Sequence, residues 1–84
     1  MKRSEIKKLT YTVRLIYPWF YLDMSDYERN MIDSAWMHTL KDYEYKLANA
    51  ALIICLKNDK VGCPPSPGKV KATIEELIEK GEQA

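Results

Sequence analysis

Between Leu47 and Leu56 the chain reads Leu-Ala-Asn-Ala-Ala-Leu-Ile-Ile-Cys-Leu. On a helix these side chains surround the axis and leave only Lys46, Asn49 and Lys57 as a narrow solvent strip. A helix apolar on so many sides must be enclosed by other elements. In a chain of 84 residues that requirement governs the use of everything else. Asp42 reads as the N-cap of this helix, which spans about residues 43–58 with Glu44 in its first turn. Ala48, Ala51 and Cys55 fall on one small-residue face, where a neighbouring helix can come close.

The rest of the chain supplies the covering helices. Residues 4–17 place Ile6, Leu9, Val13, Ile16 and Tyr17 within one arc, with Arg3, Lys7 and Arg14 as a basic stripe beside it. Pro18 stops that helix, because proline has no backbone donor and biases its predecessor away from helical geometry. Ser25 followed by Glu28 has the spacing of a capping box and opens a helix over 26–40. Its apolar arc is read as Tyr27, Met31, Ile32, Ala35, His38 and Thr39, with Trp36 at the margin and Asp26, Asn30 and Asp33 opposite. Gly62, Pro64 and Pro65 force a loop, after which Ser66 caps and Pro67 opens a helix to about residue 80, ended by Gly81. Val70, Ile74, Leu77 and Ile78 give this helix a narrow stripe, so it should pack on the outside. The expectation is an all-α, four-helix bundle formed by one domain, residues 1–81, with a short tail at 82–84.

Much is excluded. The longest apolar run, Ala50 to Leu56, is far short of the roughly 18 residues of a membrane span. The basic N-terminus leads into an amphipathic helix without the apolar core or cleavage site of a signal peptide, which points to the cytoplasm. Two cysteines, Cys55 and Cys63, then stay reduced. No glycine-rich phosphate loop is present, and Cys55, Cys63 and His38 lack the paired spacing of a zinc site. His38, the single histidine, sits on the expected apolar arc as a core residue. No catalytic, metal or cofactor-binding residue is assigned.

The net charge of +1 hides an asymmetry: residues 1–22 carry 5 basic and 1 acidic residue, and residues 23–45 carry 2 basic and 6 acidic. That alternation suits docking to a protein, or two ordinary solvated helix faces, better than general nucleic-acid binding. Arg3, Lys7 and Arg14 are the candidate partner contacts. Met37 joins them, because it falls among polar residues of the second helix and is either exposed or packed against another element. Trp19 and Phe20, in the connector after Pro18, are expected to plug the end of the core. A small DNA-binding or transcription-regulating domain and a homo-oligomerising module stay open as alternatives.

One arrangement is more specific. Tyr17-Pro18 with Phe20 shortly after, Trp36 and Leu40, Asp42 ahead of an alanine-rich helix with Ala48 and Ala51, and Pro64-Pro65-Ser66-Pro67-Gly68 leading into Val70 cover residues 11–78. The pattern resembles the loader and inhibitor proteins that phages of Gram-positive bacteria direct at a hexameric replicative DNA helicase. The resemblance implies a compact helical domain followed by a flexible C-terminal segment. It implies a non-enzymatic role: binding the nucleotide-loaded helicase, restraining it, and delivering it to an origin-bound initiator. Two departures stand out. Cys63 occupies a position where the family usually has a bulky aromatic residue, and the tail at 82–84 reads as the bare start of a truncated flexible segment.

Overall fold

The computed structural model describes residues 1–81, and the tail expected at 82–84 lies outside the described residues. The chain folds into four helices: α1 (Arg3–Ile16), α2 (Asp26–Leu40), α3 (Tyr45–Lys57) and α4 (Pro67–Glu79), with a 3₁₀ turn over Pro18–Phe20. The described residues contain no strand, and the architecture is an all-α four-helix bundle.

Each boundary has a local cause. Tyr17 leaves helical geometry immediately before Pro18, although its N–H still donates to the Val13 carbonyl. The Ser25 hydroxyl accepts from the Glu28 N–H at 3.2 Å while Glu28 Oε1 accepts from the Ser25 N–H at 3.0 Å, completing the capping box. Ser66 Oγ accepts from the Lys69 N–H at 3.1 Å, Pro67 takes the first helical position, and Gly81 follows α4 with φ +75°, a left-handed value that glycine adopts without strain.

One boundary differs from expectation. Asp42 does not cap α3, which begins at Tyr45 after an N-cap position filled by Glu44. Tyr43 is the reason. It packs against the core from the turn after α2, where its N–H donates to the Leu40 carbonyl, and its hydroxyl donates to Glu75 Oε2 on α4 at 3.3 Å. Docking that ring holds residues 41–44 in a turn.

The core is built from Ile6, Leu9, Val13 and Tyr17 of the first segment, Trp36 and Leu40 of α2, Ala48, Ala51, Leu52 and Cys55 of α3, and Val70, Ile74 and Leu77 of α4. Fully burying a side chain such as Leu9, Leu52 or Ile74 stabilises the fold by roughly 1.5–3 kcal/mol. Around the bundle the helices follow the order α1, α2, α4, α3, so α2 and α3, consecutive in the chain, lie across it from one another. The fourth helix is therefore not an outer cover as its narrow stripe suggested. It sits between α2 and α3, and its most extensive partner is α3. Cys55 Sγ approaches Thr73 Oγ1 to 3.4 Å, which places α4 against the small-residue face of α3.

The second helix also departs from expectation. Its buried residues are Asp33, Trp36 and Leu40, whereas Tyr27, Met31, Ala35 and His38 are exposed. The buried face is nearly opposite the arc drawn from residue type, because the bundle takes hold of the C-terminal half of α2 and leaves the Tyr27–Met31 end uncovered. His38 is accordingly no core residue.

Packing this tight gives a direct test. Ala51→Leu should cost about 1–3 kcal/mol by overpacking the α3 interface, and Ser66→Ala about 1 kcal/mol by removing the cap, whereas Ile53→Ala on the exposed side should change the urea midpoint little.

Candidate partner-binding surface

The basic stripe of α1 does not form a uniform row. Arg3 and Lys7 are exposed, but Arg14 is half-buried and turns over the ring of Tyr11, with its guanidinium carbon 5.9 Å from the centroid. Arg14 Nε is enclosed without a hydrogen-bond partner. Lys8, which the stripe did not include, places its Nζ 5.5 Å from the centre of the Tyr45 ring and so links α1 to α3. Burial raises the pKa of the Tyr21 hydroxyl while the Arg14 charge nearby opposes that rise.

Arg14 meets the acidic helix inside the fold. Thr10, Arg14, Tyr21, Arg29, Asp33 and Trp36 are among the residues lining a cavity of about 10 Å³ between α1 and α2, room for a single water molecule at most. Asp33, only 6% exposed, thus faces a site shared by two arginines. This explains its burial better than residue type could. A carboxylate on the inner face of α2 is tolerated where cations from α1 and from α2 itself converge. Arg29 also bonds to Asp26 at 3.4 Å, an exposed pair of small energetic weight.

The connector after Pro18 is opposite to expectation. Trp19 is 59% exposed and Phe20 is exposed as well, so neither plugs the core. Tyr17 does. Its ring is buried, Trp19 packs edge-on against it at 5.9 Å, and its hydroxyl donates to Asp59 Oδ2 at 2.6 Å. Asp59 Oδ1 in turn accepts from the N–H groups of Val61 and Gly62, both at 3.0 Å, and of Cys63 at 3.4 Å. One carboxylate therefore shapes the α3–α4 loop and clasps it to the end of α1. Gly62, at φ +74°, makes the turn possible. Sequence reasoning missed Asp59, although an Asp three residues before a Gly is a recognised turn signal.

The motif residues divide by role. Tyr17, Trp36, Leu40, Ala48, Ala51 and Pro65 are buried, and Ser66 caps α4. Pro18 starts the 3₁₀ turn, while Phe20 and Asp42 are exposed and Pro64 is half-buried. A Cβ at Gly68 would meet only Ser66 Oγ at 3.9 Å, so space does not explain that glycine. Cys63 is exposed. The loop is held instead by Asp59 and by the buried ring of Pro65.

Met37 is half-buried and packs against the core, the second of its two expected placements, which removes the reason for assigning it to a partner. The apolar residues that do face solvent are elsewhere: Tyr11 and Leu15 on α1, Trp19, Leu22, and Tyr27 and Met31 at the start of α2. In sequence they were hidden by position. Leu15 lies one residue from the apolar arc of α1, and Tyr27 and Met31 passed for core.

Comparison with known families matches residues 1–71 to the N-terminal domain of a phage helicase loader and inhibitor protein. The chain belongs to that family. The match takes in α1, α2, α3, the Asp59 loop and the first residues of α4. No curated protein and no solved structure matches the chain. None of the described helices is long and apolar enough to cross a membrane.

The Tyr17–Asp59 clasp has two pH limits. The hydrogen bond to Asp59 and burial push Tyr17 up to about 12 from 10.0, so its contribution is complete below the ordinary tyrosine range and is lost as pH rises through about 12. The same bond, with the three loop amides, holds Asp59 below the ordinary 3.8, so its contribution is present above that value and is lost as pH falls through the lowered one. Tyr17→Phe should lower the melting midpoint at pH 7 and flatten the alkaline limb, and Asp59→Asn should flatten the acid limb. Thermal melts across pH measure both.

Proposed function

We propose that this chain is a non-enzymatic phage or prophage replication protein that binds a hexameric replicative DNA helicase in the host cytoplasm. It restrains the helicase and helps load it at an origin, with an origin-binding initiator as a second partner. The family match over residues 1–71 carries this reading. The distribution of polar groups supports it. Ser25, Glu28, Asp59 and Ser66 are engaged in caps and turns, and the single histidine stands exposed on α2. What the fold leaves free is surface.

In this reading Arg3, Lys7 and Arg14 steer the encounter with the partner, since exposed charges of one sign along a helix raise association rates and specificity more than they raise affinity. Direct contact with nucleic acid plays no part. The acidic residues 23–45 would oppose a phosphate backbone, and α2 offers no basic recognition face.

The purified chain mixed with the cognate helicase and ATP should co-elute with it on size exclusion and lower its ATP hydrolysis. Combined Arg3→Glu and Lys7→Glu should slow association about tenfold at low ionic strength and much less at high ionic strength. Absence of a complex would remove the helicase reading. A steep, salt-sensitive affinity for DNA would favour a DNA-binding domain, and a rise in mass to a fixed multiple without any partner would favour a self-associating module.

A further inference from the structure

Two shallow depressions on the outer side of α1 form one groove. The first, about 330 Å³, is lined by Ser4, Lys7, Lys8, Tyr11 and Arg14. The second, about 340 Å³, is lined by Tyr11, Arg14, Leu15, Pro18, Leu22 and Arg29, with Tyr21 also part of its wall. Tyr11 and Arg14 belong to both, so the depressions are continuous along the helix. Positions 4, 7, 8, 11, 15, 18 and 22 repeat at intervals of three and four. This is a second stripe on α1, turned away from the core stripe of Ile6, Leu9 and Val13. Leu15 is 63% exposed and Leu22 is 73% exposed, large aliphatic side chains covered by nothing in the fold.

The charge in the groove has one sign. Lys7, Lys8, Arg14 and Arg29 line it, and no carboxylate does. Among the described residues neither Lys7 nor Arg14 meets a carboxylate, and Arg29 alone has an acidic neighbour, Asp26. The groove is thus cationic at its N-terminal end and apolar with flanking arginines at the other. Its length follows from α1, 14 residues, or about 21 Å at 1.5 Å per residue.

We propose that this groove is the docking surface for an amphipathic acidic helix of a partner protein, about four turns long. Its apolar ridge lies between Tyr11, Leu15 and Leu22, and its Asp and Glu flanks meet Lys7 and Arg14. Alternate apolar and charged lining residues match a helix laid in a groove, read at intervals of three and four. A bare polyanion would leave Leu15 and Leu22 uncovered, and an uncharged apolar segment would desolvate Arg14 without giving it an acceptor. The inference deepens the helicase reading by naming the kind of segment such a partner presents, and in that respect rests on it.

Two sets of measurements separate the two ideas. In the first, the full chain is titrated with a designed amphipathic helix carrying a Leu ridge and Glu flanks, and with the same peptide carrying Lys flanks. The amides of Tyr11, Leu15 and Leu22 should shift with the Glu peptide, and the Lys peptide should bind about tenfold more weakly or not at all. Leu15→Asp combined with Leu22→Asp should abolish binding while leaving the melting temperature unchanged, since both side chains are exposed. Equal binding of the two peptides, shifts confined to α3 and α4, or stronger binding to anionic vesicles or DNA through the same residues would overturn the proposal. In the second, the double variant is mixed with the cognate helicase. If it binds as well as the parent chain, the groove fails and the helicase reading survives. If the parent chain ignores the helicase while the Glu peptide seats in the groove, the groove survives and the helicase reading fails.

Discussion

Tyr17 is where three requirements meet. Pro18 ends α1 behind it, its ring closes one end of the core, and its hydroxyl reaches Asp59, 42 positions further along the chain. Because Asp59 spends its other oxygen on three successive loop amides, the bond fixes the conformation of the turn as well as its position. From that turn Pro65 is buried and Ser66 is set to cap α4. The placement of α4 between α2 and α3 therefore depends on a contact made at the end of α1. The aromatic residue usual before Pro64 in the family would anchor the loop by burying a ring, whereas this chain, with Cys63 exposed, anchors it through a carboxylate.

The ends of the helices were legible in the sequence because caps and breakers act locally. Ser25 with Glu28, Pro18, Ser66 with Pro67, and Gly81 each declare a boundary within a few residues, and the bundle has those boundaries. Faces were less legible, because a face is decided by what lies opposite. The core side of α1 was clear from Ile6, Leu9 and Val13, since apolar residues there are regularly spaced. On α2 the apolar residues are scattered, and the projection followed Tyr27 and Met31 to the wrong side. The deciding residue was Asp33, which looks like a solvent residue until Arg14 and Arg29 are placed around it. Likewise Tyr43 upset the start of α3 through Glu75, 32 positions away, and no local pattern encodes that pairing.

The candidate surface shows the same division. Its cations were visible as a stripe, but its apolar half was not, because Leu15 and Leu22 gain meaning only once the core is seen to be complete without them. Trp19 and Phe20 illustrate the converse. Aromatic residues beside a helix end were natural candidates for a plug, yet Tyr17 fills that place and can do so because its hydroxyl has an acceptor. A phenylalanine or tryptophan there would bury area without holding the loop.

These observations bear on how so small a chain divides its residues between folding and recognition. The core uses one stripe of α1, and the opposite stripe is left apolar and cationic at once. Leaving leucines such as Leu15 and Leu22 in water contributes nothing to stability, and a lysine or glutamate at either position would serve solubility better. Arg14 joins the two stripes. It lies over Tyr11 on the outer groove and lines the cavity beside Asp33 on the inner side. A ligand that draws its guanidinium outward would weaken the support of Asp33, and one that leaves it in place would meet a side chain already oriented by its neighbours. Orientation of Arg14 in advance reduces the entropy lost on docking, so the internal polar site also serves to ready the outer surface for a partner.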